Sequence, residues 1–515
     1  MTGPAAHPAV DFTDIQGLVR FGFGKMTEAS YRLVKIRDAG AARMWLAQAP
    51  VTTAVEMTPP PRSALQVALT REGLNALGLA PEILAGFSAE FLTGMAGDDN
   101  RSRRLGDQGA NGPDRWIWGA GGGIPHLVVM LLAEPGLLPE WTKTACGELW
   151  DTAFEEIGCL STSNLGGREQ FGFIDGISQP VLDWKLSRSV SVNGNQLDYG
   201  NVVCLGEFLL GYPNEYRRYT DRPLVDPGSP AAAILPHADD QPNKKDLGRN
   251  GTYLVMRQLR QDVRLFWHYL QDAASTLDLS ATRLAEAFVG RTLVDGAPLV
   301  PLSPGTIAGV GDTGSETKRG QDSALNRFTY ELDEDGTRCP FGAHIRRANP
   351  RTTDLPGHPR GLLQQGLHLL GFGSSDLRSD LTASVRFHRL LRRGREYGPA
   401  LSPQEALQPG SADEPERGLH FIALCANIER QFEFVQNAWI AQIKFDGMTE
   451  ESDPLLGNRE PVPGCPFTDS FSMARSNGAR KRLLRVPRFI TVRGGAYFFL
   501  PGIRALRYLS RNGSN

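Results

Sequence analysis

Apolar residues in this chain come in short runs, and the longest unbroken one, at 127–133, holds seven residues. A helix crossing a bilayer needs about 20. The core therefore has to be assembled from many short elements. Runs rich in β-branched and aromatic residues predict strands at 126–133 (HLVVMLLA), 201–212 (NVVCLGEFLLGY), 251–259 (GTYLVMRQL), 419–426 (LHFIALCA) and 489–500 (FITVRGGAYFFL). Between them, 261–273 and 280–290 carry apolar residues at three- and four-residue spacings, with Ser280 placed as an N-cap. Strands and helices are mixed without regular βαβ alternation, which predicts an α+β fold.

At 515 residues the chain is several times the usual ~150-residue domain. Turn formers crowd 223–251 and 399–417, and a further loop-like stretch runs from 303 to 325. The first of these places a boundary near residue 245, dividing the chain into 1–245 and 246–515. Similar strand and helix content on either side allows two related halves without showing that they are related.

Lys and Arg number 55 against 57 Asp and Glu, for a net charge of −2, so no general electrostatic drive toward nucleic acid or an anionic membrane exists. The six cysteines (Cys146, Cys159, Cys204, Cys339, Cys425, Cys465) form no CxxC pair, which argues against a zinc ribbon or a disulfide framework. Reduced thiols, together with an N-terminus that lacks a basic region followed by an apolar run, give the expectation of a soluble cytoplasmic protein.

Three segments could carry chemistry. CPFGAHIRRANPR at 339–351 sets His344 among Arg346, Arg347 and Arg351. An imidazole beside clustered guanidiniums suits haem, whose iron takes a protein nitrogen and whose propionates need cations; it also describes a surface histidine in a basic loop. QFGFIDGISQP at 170–180 places Asp175 between glycines in an apolar stretch, as an acid-base group in a confined cavity or as an ordinary Asp-Gly turn. HRLLRRGREYG at 388–398 holds four arginines, one of which could stabilise an anion developing on a ligand; a solvated basic helix end would look the same. The glycine run at 119–123 lacks the residues of a phosphate-binding loop and reads as a loop.

Taken together, the three segments resemble the dye-decolourising peroxidase family of haem enzymes. The GxxDG motif stands at Gly172 to Gly176, the haem-ligand motif at PFGAHIR followed by NPR, and the arginine motif at Arg392-Arg-Gly. Family-like stretches continue at 206–216, 250–263, 426–439 and 492–506, so the resemblance covers nearly the whole chain, and its length is similar to the longer bacterial and fungal-type branches. The Gly-, Ser- and Leu-rich insert around 356–381 lies between His344 and Arg392 and leaves the distal position open between Arg392 and Arg393.

The resemblance implies two ferredoxin-like halves with antiparallel sheets and one haem b per chain, held mainly by the C-terminal half. It implies His344 as proximal iron ligand, Asp175 as distal acid-base residue and Arg392 as distal arginine. Arg346 and Arg351 become candidates for the propionates. Leu419 and Phe421, which alternate onto one strand face, become walls of the distal pocket, and Glu429 becomes the carboxylate behind His344. The implied reactants are hydrogen peroxide and a reducing substrate such as a dye or phenol, with activity skewed to acid pH because an Asp stays ionised there. Surface tyrosines or tryptophans are expected to relay electrons from bulky donors. A homo-oligomer is compatible with all of this, and no nucleic acid or membrane partner is expected. The alternative is a haem carrier or iron-releasing protein without turnover, which would need the axial ligand but no distal proton shuttle.

Overall fold

The computed structural model describes residues 9–186, 202–302, 324–351, 385–411, 413–475 and 478–511. The insert at 356–381, most of the loop at 303–325 and the last four residues lie outside them. Within the described chain nine strands build one sheet. Its first half contains β1 (Glu28–Ile36), β2 (Ser63–Leu69), β3 (Leu127–Ala133) and β4 (Phe154–Ser161), antiparallel in the order β4-β1-β3-β2. Helix α1 (Ala39–Gln48) follows β1, α2 (Asp99–Leu105) lies between β2 and β3, and α3 (Leu138–Cys146) leads from β3 toward β4.

The second half contains β5 (Thr252–Gln261), β6 (Leu391–Arg392), β7 (Arg395–Tyr397), β8 (Gly418–Cys425) and β9 (Ile490–Leu500). Their order is β9-β5-β8-β6, with β7 also on β8, again antiparallel. Helices α4 (Val263–Leu277) and α5 (Ala281–Val289) follow β5, and α6 (His344–Ala348) precedes β6. Widened helical turns at Glu429–Glu433 and Val435–Ala441 lead from β8 toward β9, and α7 (Ile503–Arg511) closes the chain. Both halves thus repeat β-α-β-β-α-β with one strand order, which is the ferredoxin-like arrangement. They meet where β9 pairs with β2 at Phe499 and Leu69.

Burial follows from position. β3 lies between β1 and β2, and all seven of its residues are buried; a strand covered on both faces reads as a continuous apolar run. α4 begins where the Asp262 carboxylate accepts the Leu265 N–H, and α5 where the Ser280 hydroxyl accepts the Arg283 N–H, as the sequence predicts for Ser280.

One predicted strand is corrected. Among the described residues of 201–212, only Val202–Val203 forms a strand, and Leu205–Glu207 forms a 3₁₀ turn. A side chain at Gly206 would strike the Tyr212 carbonyl at 2.3 Å, so the backbone folds back on itself while Phe208, Leu209 and Leu210 stay buried. A division at 245/246 passes through a two-stranded ribbon, in which Leu224–Val225 pairs with Lys245–Asp246; the first strand of the second repeat starts at Thr252.

Register fixes which side chains share a face. Arg392 lies opposite Ala423, Phe421 opposite Arg257, and Leu419 opposite Leu259. Arg392, Phe421, Leu419, Arg257 and Leu259 therefore point from the same side of the sheet.

Candidate active site

Asp175 sits in a loop that the chain pins from several directions. The half-buried Glu169 carboxylate accepts the N–H groups of Phe171 and Phe173, at 3.0 and 2.9 Å, and a side-chain N–H from Gln261 at 2.7 Å. Arg168 donates to the Gly172 carbonyl at 2.7 Å, and Gln170 donates to the Tyr397 carbonyl at the same distance. Gly172 and Gly176 have φ of 102° and 79°, the left-handed path that the two motif glycines permit.

The turn presents Asp175 Oδ1 to Arg392 Nη1 at 2.9 Å, and the same oxygen accepts the Gly176 N–H. Arg392 also donates to the Ser178 carbonyl, and its backbone is clamped by the Gln179 amide group. Arg393 belongs elsewhere: its guanidinium donates to the carbonyls of Leu18 and Val19. Of the two arginines, Arg392 is the one paired with Asp175.

His344 opens α6. Its Nδ1 lies 2.9 Å from Asp453 Oδ2, and the Asp453 side chain is fully buried. The other Asp453 oxygen accepts the N–H groups of Leu455 and Leu456 at 2.9 and 2.8 Å. This carboxylate replaces Glu429, which is exposed and so cannot back the imidazole. The segment carrying Asp453 is itself stitched. Arg347 donates to the Glu451 carbonyl at 2.5 Å, and Arg459 to the carbonyls of Asp453 and Pro454 at 3.1 and 2.7 Å.

Arg346 and Arg351 are corrected as well. Arg346 is fully buried, pairs with Asp333 at 3.0 Å and lies over the rings of Tyr330 and Phe341. Arg351 donates to the carbonyls of Asn326 and Phe328 and stacks on Phe328. Spacing put both beside His344, but their guanidiniums hold the surrounding loops together.

The electrostatics join the groups. Burial alone would raise the Asp175 pKa, yet the Arg392 charge and the Gly176 N–H outweigh it and hold the carboxyl below its ordinary value. His344 is pushed down by burial and drawn up further by Asp453, so its pKa ends above the usual imidazole value. The charges of Asp175 and Arg392 also act on the His344 ring, so the three motif groups lie within electrostatic reach of one another. With Nδ1 committed to Asp453, His344 offers Nε2 as the nitrogen for an iron. The donor set suits haem: one imidazole backed by a buried carboxylate, with the Asp175–Arg392 ion pair within electrostatic reach.

No family model matches the chain. It is 28% identical to dye-decolorizing peroxidase AauDyP1 of Auricularia auricula-judae over 97% of its own length and 87% of that protein's. It is 27% identical to Peroxidase 2 of Mycetinis scorodonius, over 98% and 88%, and 30% identical to multifunctional dye peroxidase DyP2 of an Amycolatopsis species, over 69% and 64%. The crystal structure of a fungal DyP-type peroxidase from Auricularia auricula-judae matches with a TM-score of 0.68 at 25% identity, covering 98% of this chain and 100% of that one. The chain is similar to dye-decolorizing peroxidases in sequence and fold over nearly its whole length, and it is a peroxidase, a haem-binding oxidoreductase acting on peroxide.

Proposed function

We propose that the chain binds one haem b, mainly through residues 246–515, with His344 Nε2 on the iron, Asp175 as the distal acid-base residue and Arg392 as the distal arginine. Haem supplies the iron at which the O–O bond of hydrogen peroxide breaks and the oxidising equivalents pass to a dye or phenol. Asp175, ionised, takes the proton from one peroxide oxygen and returns it to the other, which leaves as water. Arg392 holds the carboxylate in place and offsets the charge that builds on the leaving oxygen. Leu419 and Phe421, on the same sheet face as Arg392, wall the space and limit water. Asp453 accepts the Nδ1–H of His344, fixing the ring and raising its basicity.

The observation that carries this reading is the Asp175–Arg392 pair at 2.9 Å beside an imidazole tied to a buried carboxylate. A carrier that only stores haem has no use for the pair. Asp175→Asn with haem retained tests it: reaction with peroxide should fall by about 10²–10⁴-fold, and unchanged reactivity would remove Asp175 from the mechanism. None of the six cysteines is in a disulfide, which supports a reducing, cytoplasmic setting.

A further inference from the structure

The near-zero net charge of the chain hides an uneven distribution. Between 470 and 515 stand ten Lys and Arg and not one Asp or Glu, and six of the ten fall within 475–488. There the chain forms a small two-stranded ribbon, with Phe471 opposite Leu483 and Met473 opposite Lys481, so the turn brings Arg475 back toward Arg480 and Lys481. Arg482 is held by Glu450 at 2.8 Å and Arg488 by Glu460 at 3.1 Å. The side chains of Arg475, Lys481 and Arg485 have no hydrogen bond or ion pair among the described residues, and Arg480 only lies over the Phe341 ring, at 5.6 Å. Leu484 and Phe467, 64% and 58% exposed, stand on the segments that run on from the ribbon, which the Val486 N–H joins to the Asp469 carbonyl at 2.7 Å. Like charges gathered this closely repel one another, and facing carboxylates relieve that repulsion.

The ribbon is built onto the segments that hold His344. A side chain at Gly342, two residues before His344, would meet the Phe471 ring at 3.1 Å. Ser470 Oγ donates to the Glu450 carbonyl at 2.6 Å, and the Ser452 N–H to the Thr468 carbonyl at 3.1 Å. The approach to the ribbon is thereby tied to the stretch that carries Asp453.

We propose that this ribbon docks an acidic protein that acts as a one-electron donor. Docking stands on the charges; the donor role rests on the peroxidase reading. The rim decides between partners. Glu450 and Glu460, with side chains 39% and 38% exposed, flank the cations. They oppose the uniform negative charge of a nucleic acid or an anionic membrane, whereas a protein surface can set its own cations against them. Four unpaired cations beside two apolar side chains suit a small, transient interface of the kind electron-transfer partners form. Each donor loses one electron, and two donors with two protons from solvent reduce one peroxide to two waters, so no further reactant is needed.

The test titrates holoenzyme into a nitrogen-15-labelled acidic flavodoxin, followed by NMR at low salt, with a basic cytochrome c as the control of opposite charge. Arg475→Glu/Arg485→Glu reverses two of the cations. Arg480→Gln/Lys481→Gln removes the other two, which keeps the test sound if the first variant fails to fold. Arg507→Glu/Arg511→Glu makes the same change of net charge at exposed positions of α7. Saturable flavodoxin binding is expected, weakened by salt and about tenfold by Arg475→Glu/Arg485→Glu, less by the second variant, and within about twofold of wild type in the α7 variant, with cytochrome c unbound. No binding, equal loss in the ribbon and α7 variants, or tighter binding of duplex DNA or phosphatidylserine vesicles than of flavodoxin would overturn it. Peroxide-driven oxidation of reduced flavodoxin and of a dye are followed in parallel. Dye oxidised while bound flavodoxin is not removes the donor role; neither oxidised, with binding intact, strikes the peroxidase reading and upholds the docking surface.

Discussion

Arg392 does two things to Asp175: it fixes the carboxylate at 2.9 Å and it counters the effect of burial on that group's ionisation. The sign follows directly. With the folded pKa held below the ordinary 3.8, Asp175 stays a proton acceptor into mild acid, and activity that needs the carboxylate is lost only as pH falls through that lowered value. Arg392→Leu removes the opposing charge and leaves burial to raise the pKa, so the acid limb of the peroxide reaction should move to higher pH; stopped-flow rates across pH check this, and an unmoved limb would show that Asp175 is not the titrating base. His420 is a different case. Burial drives it down to about 4, its Nε2 lies 3.0 Å from the Ser161 carbonyl, and its ring stacks on Tyr397. The unfolded chain takes up a proton near 6.5 and the folded one does not, so this residue's contribution is whole above 6.5 and lost as pH falls toward 4. Denaturant unfolding of His420→Gln should show a shallower loss of stability over that window than wild type.

At the scale of elements, the stretch 451–459 works as one part. Asp453 faces His344 from a segment tied at one end by Arg347 and at the other by Arg459, whose guanidinium also reaches Ser452 Oγ at 3.0 Å and the Asn458 carbonyl at 3.1 Å. Asp453→Asn keeps the shape but removes the charge behind the imidazole, so haem should be held about 10–100-fold more weakly; the rate of haem transfer to apomyoglobin measures it. This part was not legible in the sequence. His344 and Asp453 are 109 residues apart, and Asp453 stands before a proline in a stretch that reads as a turn, whereas Glu429 belongs to the family-like stretch at 426–439. The motif segments were legible because each is local: two glycines and an Asp, a histidine at a helix start, an arginine on a short strand. Arg346 and Arg351 show the converse, since closeness in sequence to His344 said nothing of Asp333 or Phe328, which claim them in space. The failed strand at 201–212 has the same origin: apolar content does not reveal that the chain folds back at Gly206, where any side chain would strike the Tyr212 carbonyl.

Across the whole molecule, two copies of one strand order share a single sheet, and the site is built on the second, with Asp175 reaching it from the segment that joins the two. The joint between them is short, with Phe499 opposite Leu69, and it is packed: the Phe499 ring meets Phe87 and Tyr253 at centroid distances of 5.0 and 6.4 Å. Phe499→Ala should cost about 3–5 kcal/mol and lower the melting of both halves together. Calorimetry resolving two transitions, only one of them shifted, would show that the halves fold independently. The strand order itself was within reach of the sequence only as similar content on either side of the midpoint, because pairing between distant strands leaves no local trace. The joint has a further consequence. A lone ferredoxin-like sheet ends in two open strands whose unpaired N–H and C=O groups invite pairing with any other chain. Here the last strand of one copy meets the second strand of the other at Phe499 and Leu69, and just past β4 the Ser163 N–H donates to the Glu396 carbonyl of β7 at 2.8 Å. Each rim of one copy thus touches a rim of the other. Joining the copies in tandem therefore also guards the protein against sticking to itself, because the rims face each other and not a passing chain.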